Sequence, residues 1–267
     1  MADHDPATLH HPRILCLHGG GVNKEVFRLQ CRALIHHLPH FRLVFADGPF
    51  FCDAGPGILP VYADHAPFRR WLRWLPAHPP VDDHTAVTEI AYALARALAS
   101  DPGHGPCVAL LGFSQGAKLA ASLLYEQQQR RRSRPSPSPP LLPDTDYKFG
   151  ILLAGRSPLV SLSPHTSASP ACIAPGAIAD SVEGEAEAEA DAPAPSPPLA
   201  AIPTIHVHGL RDPGLPLHRR LRDRYCDPAA AVVLEWDGAH RVPLRCADVE
   251  PLVREIYRVA RAQGVDV

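Results

Sequence analysis

Residues 112–116 read Gly-Phe-Ser-Gln-Gly. A serine between two glycines at this spacing is the residue set of a turn that presents a nucleophile. Such a turn joins a strand sharply to a helix and holds the serine in a strained backbone conformation with its hydroxyl exposed. Glycine at 112 and 116 leaves room where any side chain would meet the neighbouring strand and helix. The context fits: the apolar run 107–111 precedes the pentapeptide, and Ala117-Lys-Leu-Ala-Ala-Ser-Leu-Leu124 has the composition of a helix. Ser114 is the candidate nucleophile.

A serine hydroxyl needs a base to take its proton, and the base needs a partner that fixes its tautomer. When serine lies on such a turn, the acid and then the histidine follow it along the chain, on loops after later strands. Asp212 lies in Val207-His-Gly-Leu-Arg-Asp212-Pro, directly after the apolar segment 204–207. His240 lies in Trp236-Asp-Gly-Ala-His240, after the apolar segment 231–236. Each stands at the carboxyl end of an expected strand, where open α/β sheets place their sites. Asp237 competes with Asp212 as the acid, but three residues before the base it reads better as a turn residue. His208 competes with His240, yet it precedes the acid. His206 and His208 alternate on one strand face without a third ligand at useful spacing, which favours packing over a metal site. No metal is expected.

Near the amino terminus, Leu17-His18-Gly19-Gly20-Gly21 follows another apolar run. Glycines there let backbone amides point into a cavity and bind the negative oxygen of a tetrahedral intermediate. The expected donors are Gly20, with Gly21 the near alternative, and Gln115, immediately after the nucleophile. A phosphate loop is the rival reading, but the G-x-x-x-x-G-K-[ST] pattern is missing.

These residues need a scaffold that brings distant loops to one edge. Six short apolar segments, 13–17, 42–46, 107–111, 149–154, 204–207 and 231–236, read as strands buried on both faces. Helical patterns separate them. In 83–99 the apolar positions 87, 90, 91, 94 and 98 keep the helical period, with Asp82 or Asp83 as N-cap, and Val249, Leu252, Val253, Ile256 and Val259 form one stripe. This alternation predicts an α/β fold, a doubly wound, mainly parallel sheet of about six strands with helices on both faces.

The 267 residues suffice for one domain of this kind. Residues 130–146 and 161–201 are rich in proline, serine and alanine and read as low-complexity surface insertions. The arginines at 130–134 read as a solvated helix end. Residues 47–80 are long and broken by proline, yet rich in large apolar side chains. Such a loop reads as a lid or the wall of an acyl pocket, the other reading being a satellite cluster sealing the sheet edge. Phe50, Tyr62, Phe68 and Trp71 are its expected substrate contacts.

A net charge of −2 provides no case for nucleic acid or an anionic membrane. No run is long enough to cross a bilayer, and the first residues lack the pattern of a signal peptide. Seven cysteines without a C-x-x-C pair read as reduced thiols, as expected of a cytoplasmic protein.

Together, His18-Gly-Gly-Gly21, Gly112-Phe-Ser-Gln-Gly116, Gly209-Leu-Arg-Asp212 and Gly238-Ala-His240 resemble the small serine hydrolases of the FSH type. That α/β-hydrolase family includes fungal esterases and thioesterases that accompany polyketide synthases. The stretch from Val61-Tyr-Ala-Asp64 to Phe68-Arg-Arg-Trp-Leu-Arg-Trp74 is similar to the subgroup found with citrinin- and azaphilone-type pathways. The resemblance spans nearly the whole chain except the two insertions. It implies hydrolysis of an acyl thioester carried by a synthase's acyl carrier domain, or of a related ester, with no cofactor.

Overall fold

The computed structural model describes residues 6–59, 61–133, 141–143, 145–179 and 197–267. In chain order the regular elements are β1 (Arg13–Leu17), α1 (Lys24–Gln30), α2 (Arg32–His37), β2 (Arg42–Ala46), β3 (Phe50–Cys52), β4 (Phe68–Arg70), α3 (Asp83–Ser100), β5 (Cys107–Phe113) and α4 (Gln115–Arg132). There follow β6 (Thr145–Leu153), β7 (Leu159–Val160), β8 (Cys172–Ile173), β9 (Thr204–Gly209), α5 (Leu215–Tyr225), β10 (Ala231–Trp236) and α6 (Cys246–Ala262).

Six strands form one sheet in the order β10-β9-β6-β5-β1-β2. Every neighbouring pair is parallel. Side chains alternate across the sheet, so Ile14 and Cys16 join one core layer while Leu15 and Leu17 join the other. The first layer is closed by Phe27, Leu34 and the stripe Val249, Leu252, Ile256 and Val259 of α6. The second is closed by Ile90 and Leu94 of α3, Leu221 of α5 and the apolar residues of α4. Helices therefore cover both faces, as the alternating pattern requires. Asp82 caps α3, its carboxylate accepting from the Thr85 amide at 2.9 Å.

The six expected strands are all present, and three run further than the apolar runs suggest. β5 continues to Phe113, β9 to Gly209, and β6 begins at Thr145. The extra residues pair with neighbouring strands that the local sequence does not reveal, such as Gly112 with Leu17 and Gly209 with Trp236.

Three segments differ from the sequence reading. Residues 47–80 are not all loop: β3 and β4 pair antiparallel, Phe50 opposite Arg70 and Cys52 opposite Phe68. Residues 130–132 close helix α4, with Arg130 3.6 Å from Glu126 one turn back, and Leu142 is buried. Residues 134–140 and 144 lie outside the described residues. Of the stretch read as an insertion at 161–201, residues 180–196 likewise lie outside the described residues. Residues 161–179, however, are packed onto α4. Leu162, Thr166 and Ala179 are buried, the Ser122 hydroxyl accepts from the Val160 amide at 2.9 Å, and the buried Lys118 donates to the Ala179 carbonyl at 2.6 Å. Composition does not show this, because the anchors are polar side chains on a helix distant in sequence.

Candidate active site

The backbone of Ser114 has φ 53° and ψ −116°, a conformation that non-glycine residues avoid unless their surroundings impose it. The surroundings are backbone. A Cβ on Gly112 would lie 2.3 Å from the Gly116 carbonyl oxygen, and one on Gly116 would lie 2.1 Å from that of Leu17. Only glycine at both positions lets β5, β1 and the first turn of α4 come this close. The turn therefore lifts Ser114 to the carboxyl edge of the sheet.

Asp212 and His240 reach the same edge because the loops after β9 and β10 are laced together. The Leu210 amide donates to Trp236, and the Arg211 amide to Gly238. A Cβ on Gly209 would lie 2.5 Å from the Gly238 carbonyl. The two loops thus meet backbone to backbone, and His240 Nδ1 comes to 2.6 Å from Asp212 Oδ2 while its Nε2 stands 3.0 Å from Ser114 Oγ. A carboxylate only accepts, so Nδ1 carries the proton and Nε2 offers its lone pair to the serine hydroxyl. Phe113 packs at 4.9 Å against the imidazole. Burial alone would raise the Asp212 carboxyl. The Gly214 amide at 2.8 Å and the neighbouring His240 outweigh it and hold the group below the usual carboxylate value.

The competing residues lie elsewhere. Asp237 is on the surface, paired with Arg211 at 3.0 Å. His208 is buried beside His206 and His218, and His206 meets the Thr204 hydroxyl at 3.0 Å. Among the described residues, one set could in principle hold a cation. Ligand atoms of Asp212, His218 and His240 lie within 4.8 Å of one another. Two of the three are already joined by the 2.6 Å bond, so a metal would have to break that contact.

The glycine run is held by His18. This buried imidazole donates from Nδ1 to the Gly19 carbonyl at 2.6 Å and accepts at Nε2 from the Gly48 amide at 2.8 Å. Burial lowers its pKa to about 4, against the pull of the Gly19 carbonyl, so the ring is neutral. In a trans peptide the carbonyl and the following N–H point opposite ways. Drawing the Gly19 carbonyl to His18 thus turns the Gly20 amide away from it. The Gly21 amide donates to the Arg69 carbonyl at 3.0 Å. The amides of Gly20 and Gln115 have no acceptor among the described residues. A Cβ on Gly19 would be 3.5 Å from that of Ser114, which sets the glycine run beside the hydroxyl.

Of the expected substrate contacts, Trp71 has no exposed surface, and its Nε1 donates to the His18 carbonyl at 2.9 Å. Its position makes it a support for the glycine run. Phe68 is buried with Val22 and Val26, and Tyr62 packs against them with Ile58, as a satellite cluster would. Phe50 lies under the Arg70 guanidinium. Two features escape sequence reading. The side chain of Gln115 bonds to the backbone of Trp71 and Leu72. The ring of Trp74 meets Gly20. Neither follows from a motif, since both partners are in a segment without a regular period.

A parallel six-stranded sheet wrapped by helices, with a serine on the turn after its central strand β5, defines an α/β-hydrolase. The fold is similar to that of the Zea mays acyl-protein thioesterase 2, with TM-score 0.51, 16% identity and 96% of each chain covered. Within that class the chain belongs to the FSH1 family of serine hydrolases, whose family model matches residues 7–252. It is 44% identical to the esterase claE of Penicillium crustosum, across 98% of this chain and 97% of that one. It is 45% identical to the esterase citA of Monascus ruber, across 96% and 95%. With the esterase pigG of Monascus ruber it shares 46% identity, across 98% and 96%. The chain is a hydrolytic enzyme. No helix among the described residues is long and apolar enough to cross a membrane.

Proposed function

We propose that the chain hydrolyses an acyl thioester or ester of a polyketide-type acyl group through a triad of Ser114, His240 and Asp212. The observation that carries this reading is the continuous contact from Ser114 Oγ through His240 to Asp212, at 3.0 and 2.6 Å. Ser114 Oγ attacks the acyl carbon as its proton passes to His240 Nε2, and Asp212 holds the imidazolium that forms. The amides of Gly20 and Gln115 bind the oxygen that becomes negative. The tetrahedral intermediate collapses when the leaving thiol or alcohol takes the proton from Nε2. Water, deprotonated by the same nitrogen, then attacks the acyl-serine and releases the carboxylic acid. Every proton is returned, so the cycle needs neither metal nor organic cofactor.

The substrate is the further step. Support for a bulky acyl group comes from the aromatic side chains of 50–74, and support for a polyketide from the family resemblance of 61–74. On this reading the acyl group arrives as a thioester on a synthase's acyl carrier domain, in the cytoplasm, where the seven free thiols stay reduced. The relatives' designation as esterases favours a second reading, a general carboxylesterase.

A fluorophosphonate probe should label the wild-type protein and not Ser114→Ala; an unlabelled but folded wild type overturns both readings. Faster turnover of small p-nitrophenyl esters than of aryl thioesters selects the carboxylesterase. Unchanged product release by a neighbouring polyketide synthase when this protein is withheld removes the carrier-bound role.

A further inference from the structure

The geometry points to Trp74 as the wall of the acyl subsite for flat aromatic groups, placed there by the side chain of Gln115. This rests on the hydrolytic reading above and adds the residues that choose among substrates.

Trp74 is half-buried, and its benzenoid edge lies on the glycine run. A Cβ on Gly20 would be 2.7 Å from Trp74 Cζ3 and 3.0 Å from Cη2. The indole thus stands against the residue whose amide is free beside Ser114. The buried His78 ring meets it edge-on at 4.3 Å. The indole thus has Gly20 and His78 as neighbours, and part of its surface is open to solvent. An acyl group whose carbonyl oxygen sits at the Gly20 and Gln115 amides extends past this surface. A flat conjugated acyl group can stack on it, whereas an acetyl group is too short to use it.

Past the end of β4 at Arg70, the Arg73 carbonyl accepts from the Ala179 amide at 2.7 Å and the Trp74 amide donates to His78 Nδ1 at 3.4 Å. Gln115 holds Trp71 and Leu72, the residues between. Its Oε1 accepts from the Trp71 amide at 2.7 Å and the Leu72 amide at 3.1 Å, and its Nε2 donates to the Leu72 carbonyl at 3.1 Å. Three bonds from one amide side chain satisfy a turn of backbone that would otherwise be left without partners. One residue therefore contributes its amide to the oxyanion and its side chain to the placement of the wall. Gln115 acts here as a positioning residue, and Trp74 as a specificity-determining one.

The test compares kcat/KM for p-nitrophenyl 1-naphthoate with that for p-nitrophenyl acetate. Trp74→Ala should lower the naphthoate-to-acetate ratio by about tenfold, the effect of losing one aromatic partner, chiefly through KM for the naphthoate. Trp74→Phe should restore part of it. Gln115→Met, close in size but without the three bonds, should shift the ratio in the same direction. In the double variant Gln115→Met/Trp74→Ala the two shifts should not multiply, because both remove one wall. An unchanged ratio in Trp74→Ala, equal loss of both esters, or shifts that multiply would each overturn the assignment. Fluorophosphonate labelling separates the two levels. Labelled wild type with a flat ratio overturns the wall alone, while unlabelled wild type overturns the hydrolytic reading and the wall with it.

Discussion

Ser114, Asp212 and His240 each follow a strand of the central sheet, and close backbone contacts bring the loops that carry them together. The Gly112–Gly116 approach and the lacing of Gly209 with Gly238 leave no side chain to adjust. The segment 47–80 crosses the same edge on another plan. Among its described residues the strands are three residues each. Backbone bonds tie it to the glycine run and beyond, Arg69 with Gly21 and Val22, Gly55 with Gly21, and Arg73 with Ala179. Side chains complete the attachment: Gln115 to Trp71 and Leu72, His18 to Gly48, and the Trp71 indole to His18. A site fixed by backbone tolerates little and keeps its chemistry constant. Where side chains attach the cover, as Gln115 does at Trp71 and Leu72, it can be altered residue by residue while the sheet stays folded. On the proposed reading, chemistry belongs to the first region and choice of substrate to the second.

The largest expected effect removes the chemistry from the first region. Ser114→Ala should lower kcat by about 10⁴-fold or more, and Asp212→Asn by about 10⁴-fold, because asparagine imposes the wrong tautomer on His240. Both proteins should keep the wild-type circular dichroism spectrum. If either retains a tenth of wild-type turnover, the contact chain at Ser114 is not the catalytic one.

A sharper contrast comes from adding one methyl group to each region. At Gly112 the new Cβ would meet the backbone of the first turn of α4, Gly116 O at 2.3 Å and Ala117 N at 2.5 Å. Gly112→Ala should therefore destabilise the fold by about 3 kcal/mol or more, read as a fall in the urea midpoint. At Gly20 the three atoms nearest the new Cβ all belong to the Trp74 ring, a side chain rather than backbone. Gly20→Ala should leave the unfolding free energy from urea titration within about 1 kcal/mol of wild type while cutting kcat/KM for aromatic esters by about tenfold. Equal destabilisation of the two variants would erase the distinction between the regions.

Acid should act on both regions through buried imidazoles. His18 anchors the cover with a pKa lowered to about 4. His206, within β9, and His218, beside Asp212, are lowered to about 3, burial being the main cause in each. In the unfolded chain these groups bind a proton near pH 6.5. Between that pH and the folded value the unfolded state carries more protons, so the stability present above pH 6.5 is lost as the pH falls. His18 alone contributes about 3 kcal/mol of this loss by pH 4. Urea titrations at pH 7, 5.5 and 4.5 should show the decline, and His206→Gln should make it shallower by up to one proton. A stability independent of pH over this range would mean that the imidazoles are not held neutral.

Much of this division can be read in the sequence, and the boundary of what can be read is physical. The strands are legible because burial on both faces forces continuous apolar runs, and α3 and α6 because one apolar face repeats at the helical period. Ser114, Asp212 and His240 are legible as candidates because each follows a strand and the order along the chain is restrictive. The cover is not legible in the same way. β3 and β4 are separated by a long connection with no tight-turn signature, so their pairing depends on contacts made after folding. Trp71 and Trp74 look equivalent in a segment without a period, yet one is buried beneath His18 and the other faces Gly20. The Gln115 side chain was hidden behind the role of its own backbone amide. His218 sits near Asp212 only because α5 folds back beneath β9.

The smallest expected effect tests where the packed structure ends on the insertion side. Composition treats 161–201 as one low-complexity stretch, and removal of 163–199 would then be harmless. The contacts of 161–179 divide that stretch. Thr166 is buried and its hydroxyl accepts from the Leu162 amide at 3.1 Å, the Tyr125 hydroxyl meets Ser169 Oγ at 2.8 Å, and Lys118 caps the Ala179 carbonyl. Removing 163–199 would leave the Lys118 ammonium buried without that carbonyl and would uncover apolar residues of α4, each a loss of about 1–3 kcal/mol. A deletion confined to 181–195, where Glu, Ala and Pro predominate, removes little that could bury apolar surface. It should change the melting temperature by no more than about 2 °C and kcat/KM by less than about twofold. The longer deletion should lower the melting temperature by about 10 °C or more. Equal behaviour of the two deletions would show that 163–179 contributes nothing to the sheet's stability, and the polar anchors on α4 would then be decoration on a helix already complete.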